Sequence, residues 1–218
     1  MKLFALIAHK FKVSLRQRQD IALIITFAWL AIFVFPLAIG SDLEVLSKVA
    51  PGLMWIILIF ALHLSTPLIW VKDLEDGTLN QLLLSDVPVE YLIVAKALCL
   101  WLICLSLILV LIPMLAYTFY FSLELLFLYF ITYLIASFPL SLLVITGATL
   151  TLSHPRSSLL SIILMIPLYI PLIIFSSVIL TSASSVNFDP TALWILIGIS
   201  LGSFPILVSA NVLNLKWL

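Results

Sequence analysis

Lys72-Asp73-Leu74-Glu75-Asp76-Gly77-Thr78-Leu79-Asn80-Gln81-Leu82-Leu83-Leu84-Ser85-Asp86-Val87-Pro88-Val89-Glu90 is a polar island between two long apolar stretches. It carries five of the ten acidic residues of this 218-residue chain. Asp76-Gly77 is a turn pair, Thr78 with Gln81 three residues later has the pattern of a capping box, and Pro88 stops the helix that follows. The spacing predicts a short helix of about two turns. Leu79, Leu82 and Leu83 fall at i, i+3 and i+4 and share a face, while Asn80, Gln81 and Asp86 look elsewhere, so this helix is amphipathic. Two readings fit it: a solvated loop whose leucines rest on the lipid surface, or a docking helix projecting from two membrane-spanning ends as a lever.

The chain as a whole is apolar, with 64% hydrophobic and only 9% charged residues, far beyond the apolar share of a soluble domain. That composition predicts an integral membrane protein. Residues 1–18 interleave Lys2, Lys10, Lys12, Arg16 and Arg18 with Phe4, Ile7, Ala8, Phe11 and Leu15, the pattern of a basic amphipathic helix lying on the membrane surface. No uninterrupted apolar region with a small-residue cleavage site follows those charges, so the N-terminus is expected to be retained.

Six apolar spans follow, at 21–39, 50–71, 92–118, 125–152, 158–181 and 191–213. Each is long enough, at about 1.5 Å per residue, to cross a hydrocarbon core of about 30 Å. With the N-terminus inside, Lys2, Lys10, Lys12, Arg16, Arg18, Lys72, Lys96, Arg156 and Lys216 are inside and Lys48 alone is outside. The positive-inside rule therefore predicts that both termini and the island are cytoplasmic. The predicted fold is an all-α membrane protein forming one transmembrane domain over 1–218. It has six transmembrane helices, an N-terminal interfacial helix over 1–18 and a cytoplasmic coupling loop and helix in 72–90.

Several function classes lack their residues. Formal net charge is zero, and no basic stripe exists beyond the first eighteen residues, so nucleic acid is not an expected partner, whereas membrane lipid is. No Asp, Glu, Lys or Arg lies near the middle of a span, which disfavours an ion-coupled transporter. No Gly-x-x-x-x-Gly-Lys-Ser/Thr loop is present, so any nucleotide energy must come from a partner. His9, His63 and His154 are scattered and no catalytic motif is present, so the chain is not expected to be an enzyme or to hold a metal. Cys99 and Cys104, five apart on one helix, point some 140° apart at about 100° per residue and cannot pair with each other there.

Some single residues remain as candidate contacts. His63 lies within a span, either as a neutral hydrogen-bonded residue beside Ser65 and Thr66 or as an axial ligand to a haem. Trp70 and Trp217 fall near the inner interface and Trp55 and Trp194 near the outer one, as an aromatic belt. Trp29 and Trp101 fall inside spans, where each packs or lines a cavity. Gly198 and Gly202 form a small-xxx-small pair suited to a close helix contact.

The residues also resemble a known family, the B subunit of the haem exporter complex of cytochrome c maturation. That subunit is a membrane component of an ATP-binding-cassette (ABC) transporter. The resemblance covers the whole chain. It rests on Phe35-Pro36-Leu37-Ala38-Ile39-Gly40, Ala50-Pro51-Gly52-Leu53-Met54-Trp55, and Asp73-Leu74-Glu75-Asp76-Gly77-Thr78-Leu79 with Gln81-Leu82. Ala95-Lys96, Gly147-Ala148, Pro155-Arg156 and Pro167-Leu168-Tyr169-Ile170-Pro171 also match. The resemblance implies an ABC-2-type exporter permease in a bacterial cytoplasmic membrane, in preference to a mitochondrial inner membrane. It further implies four partners: a separate ABC ATPase subunit that binds ATP, a haem-handling membrane subunit, a small single-span subunit and a haem chaperone. In such systems ATP frees a haem-loaded chaperone for delivery to apocytochrome c, with haem as the complex's substrate rather than a cofactor of this subunit.

On the island, the resemblance implies ATPase docking through Asp73, Glu75, Asp76, Gly77, Leu79, Leu82 and Leu83, with the acidic residues meeting basic partner residues and the leucines filling a pocket. His63, Trp29 and Trp101 remain candidate haem or cavity contacts. The tryptophan-rich haem-handling motif ending in Trp-Asp, typical of the partner subunit, is absent. Two alternatives share the same architecture: an ABC-2-type permease for another substrate such as a lipid or drug, and an anchor for the ATPase with no translocation path of its own.

Overall fold

Six long apolar helices dominate the computed structural model, which describes residues 18–40, 42–64, 70–84, 87–119, 123–152, 158–182 and 190–216. The interfacial helix expected over 1–18, and Ser65, Thr66, Ser85, Asp86, Arg156 and Trp217, lie outside those residues apart from Arg18. The elements in chain order are α1 Arg18–Ile39, α2 Leu43–Leu64, α3 Val71–Glu75, α4 Thr78–Leu83, α5 Val89–Phe119, α6 Leu123–Leu150, α7 Ser158–Ser182 and α8 Thr191–Lys216. Among the described residues there is no strand. All six long helices are apolar and long enough to cross a membrane, so the chain is an all-α, multi-pass membrane protein.

The second helix departs from its expected start by seven residues, beginning at Leu43 rather than at 50. The cause is a local cap. Asp42 Oδ1 accepts the backbone N–H of Glu44 at 2.9 Å, and the exposed Glu44 and Lys48 pair at 2.7 Å one turn apart. The helix thus begins just before that ion pair and runs over Leu43–Leu64.

Burial organises the bundle around α6. Every residue from 139 to 149 is buried, and α6 packs against α5, α7, α8 and α2. A helix enclosed on all sides needs small residues at its closest crossings. A Cβ added at Gly147 would meet Ser161 Oγ of α7 at 2.3 Å, so only glycine fits there. The hydroxyls of Ser141, Thr146 and Thr149 bond back to carbonyls of their own helix, which keeps them satisfied in an apolar layer. Asn211 on α8 is fully buried and bridges to α6: its Nδ2 donates to Thr146 Oγ1 at 2.8 Å and its Oδ1 accepts from Thr149. By contrast α1 buries only a narrow stripe, with Ile24, Ala28 and Ile32 at four-residue spacing against α2 and α5.

The aromatic-belt assignments of Trp55 and Trp70 do not hold. Both are fully buried: Trp55 packs on Tyr133 with ring centroids 4.8 Å apart, and Tyr133 Oη donates to the Pro51 carbonyl at 3.3 Å. Position along a helix says nothing about direction around it, and these two indoles point into the protein. Trp194 is exposed, as a belt residue is. Gly198 and Gly202 are also exposed, and a Cβ added at either would meet nothing within 4 Å among the described residues.

Candidate functional site

Between the second and third long helices the island folds as two short helices joined at a glycine. Gly77 has φ +69°, a left-handed conformation that costs a residue with a Cβ more than it costs glycine, and it reverses the chain between α3 and α4. Its N–H donates to the Leu74 carbonyl at 3.2 Å and its carbonyl accepts from the Gln81 N–H at 3.3 Å. The capping box expected from Thr78 and Gln81 does not form. Gly77 is itself the N-cap, Thr78 is the first helical residue, and no side chain caps α4. At the other end the Leu84 N–H donates to the Asn80 carbonyl at 3.0 Å.

Two contacts fasten this element to the bundle. Leu79, at 1% exposure, is part of the apolar core, and Leu74, Leu82 and Leu83 pack half-buried against it. Asp73 Oδ2 pairs with Lys96 Nζ of α5 at 2.6 Å, with side-chain exposures of 20% and 7%. The ammonium also lies 3.9 Å from the centroid of the buried Trp70 ring, a cation–π contact. An ammonium this enclosed is costly to desolvate. The carboxylate and the indole face offset that cost, so removing one partner of such a pair takes about 3–5 kcal/mol, less here for the partial exposure of Asp73.

These placements change the reading of the docking residues. Leu79, expected to fill a partner's pocket, is held here by the chain's own core. Leu82 and Leu83 are largely engaged in the same way, and Asp73 is turned toward Lys96. An amphipathic spacing identifies an apolar face without identifying what covers it, and here the nearest apolar surface belongs to the same chain. What points outward is Glu75, Asp76, Asn80, Gln81 and Leu84, the last at 88% exposure. Sequence reasoning missed Leu84 because it was not on the leucine face. It missed the Lys96 latch too, although Trp70 and Asp73 stand at the i, i+3 spacing that can bracket one cation.

The candidate haem or cavity contacts are not brought together. His63 is buried in α2, its Nδ1 donating to the Ile59 carbonyl at 2.9 Å and its Nε2 accepting from Tyr169 Oη of α7 at 3.0 Å. Both ring nitrogens are therefore engaged, in the neutral tautomer that carries its proton on Nδ1. Trp29 is 42% exposed on the outer side of α1, edge-on to Phe33. Trp101 is half-buried, donating from Nε1 to Ser137 Oγ of α6 at 2.9 Å and set edge-on to Phe138. His63 and Trp101 thus tie neighbouring helices together, and Trp29 faces the bundle's surroundings.

Comparison with known proteins adds lineage to this geometry. The family model described as CcmB protein matches residues 1–216. Heme exporter protein B of Pseudomonas aeruginosa is 32% identical over 172 residues, covering 79% of this chain and 77% of the relative. The Haemophilus influenzae protein of the same name is 30% identical over 178 residues, 82% of this chain and 80% of that one. That of Rhodobacter capsulatus is 28% identical over 173 residues, 79% of each. With six spans, an island between the second and third, and a match running almost end to end, the chain belongs to the CcmB protein family.

Proposed function

We propose that this protein is the membrane permease subunit of an ABC transporter complex in cytochrome c maturation. It works in a bacterial cytoplasmic membrane and couples ATP hydrolysis on a separate subunit to haem export or to release of a haem-loaded chaperone. The observation that carries this reading is the island: a glycine-hinged helix pair bound to the spans on one side and presenting Glu75, Asp76, Asn80, Gln81 and Leu84 on the other. Such an element suits a soluble ATPase that pushes on membrane helices, and its acidic residues suit a basic cleft. The cation distribution supports a cytoplasmic island and cytoplasmic termini. The subunit itself is non-catalytic on this reading, with the haem-handling subunit, the small single-span subunit and the chaperone completing the assembly.

A second reading is favoured by the packed interior, where Trp55, Tyr129 and Tyr133 fill the space between α2 and α6. On it the subunit anchors and moves the ATPase while haem travels elsewhere in the complex. The test of docking is copurification of the ATPase with Glu75→Lys, Asp76→Lys chains at matched expression. Reversing two exposed charges should lower ATPase recovery at least about tenfold, because like charges then face each other across the contact. Recovery equal to wild type would remove the island from the docking surface.

A further inference from the structure

The island is tied to the spans by two buried contacts of different chemistry, and neither uses its exposed face. Leu79 enters the apolar core, a contact without directional preference, which lets surfaces slide. The Asp73–Lys96 pair at 2.6 Å is directional, and Trp70, 3.9 Å from the ammonium, limits where that ammonium can go. Lys96 lies about two turns inside α5, which starts at Val89. The pair thus joins α3 to α5 at that depth by a directional contact.

We infer that Lys96 is a positioning residue for energy coupling: its pair with Asp73, backed by Trp70, carries movement of the docked island into α5, while exposed Glu75, Asp76 and Leu84 carry docking. This rests on the proposed role of the island as the ATPase contact. Docking and transmission are then separable by substitution, because they lie on opposite sides of one short element.

The experiment replaces both charges together, Asp73→Asn with Lys96→Met, so that neither is left buried without its partner. The complex is purified with its ATPase, and three quantities are read: ATPase yield, ATP turnover and assembly of c-type cytochromes in the cell. Expected is wild-type ATPase yield with turnover retained, and assembly lowered about tenfold, inside the roughly 5–150-fold range of energetic coupling between sites. Lys96→Arg, which keeps a cation between the carboxylate and the indole, should retain most of the assembly. The inference is overturned if the double variant assembles cytochromes as wild type does, if it loses ATPase in proportion to assembly, or if Lys96→Arg fails as badly. A wild-type protein that captures no ATPase would instead overturn the docking reading, a separate result.

Discussion

Leu79 and Leu84 lie five residues apart in one short element, at 1% and 88% exposure, and truncating each to alanine should separate packing from docking. For Leu79→Ala the loss combines transfer of the missing side-chain carbons with the cavity left behind, about 2–5 kcal/mol for buried leucine. The lower half of that range applies, because α4 is only six residues long and can settle partly into the space. Leu84→Ala removes nothing from the core, so stability should change by about 0.5 kcal/mol or less. If Leu84 enters an ATPase pocket, however, its loss should cost about 2 kcal/mol of binding, roughly thirtyfold in affinity. Unfolding in detergent by increasing SDS gives the first quantity, and ATPase capture over a concentration series gives the second. Should Leu79→Ala leave stability untouched yet abolish ATPase capture, with Leu84→Ala silent in both, then Leu79 faces the partner and its placement in the core is wrong.

Two further outcomes follow from the bundle. Asn211→Leu removes two links between α8 and α6 but leaves Thr146 and Thr149 bonded to carbonyls of their own helix. At about 0.6 kcal/mol for each interhelical bond in a bilayer protein, the SDS unfolding free energy should fall by only about 1 kcal/mol. A drop of about 3 kcal/mol or more would mean that the bridge organises the fold. Gly147→Ala places a Cβ 2.3 Å from Ser161 Oγ, an overpacking that should cost about 1–3 kcal/mol. Ser161→Ala in the same chain should recover most of that, since the Ser161 hydroxyl is buried without a hydrogen-bond partner. Failure of the second change to restore stability would place the strain elsewhere.

What was legible in the sequence follows from which forces act locally. The six spans could be read because a run of about twenty apolar residues has few other fates. The reversal at Asp76-Gly77 could be read because the left-handed backbone conformation selects glycine. The start of α2 lies outside the apolar span at 50–71, because hydropathy marks the apolar run whereas the Asp42 cap sets the helix start seven residues earlier. The direction of Leu79, Trp55 and Trp70 could not be read from periodicity, which gives relative angles around a helix and no absolute heading. Asp73 and Lys96 were both noticed, one as a docking acid and the other as an inside cation. Their meeting is a tertiary fact, since they stand 23 positions apart in the sequence.

The five described indoles occur in surroundings so unlike that they label the molecule optically. Trp29 and Trp194 are exposed on the outside of the bundle, whereas Trp55 and Trp70 have no exposed surface. A quencher carried on lipid tails, such as a brominated acyl chain, therefore reaches the first pair and not the second. Trp70, lying against the Lys96 ammonium, stands in a strong local field, so its emission wavelength reports on that charge. In bilayers containing the quencher, the residual emission comes disproportionately from the shielded indoles. An ATP-driven displacement of the island would then appear as a colour change in light that the lipid has already filtered.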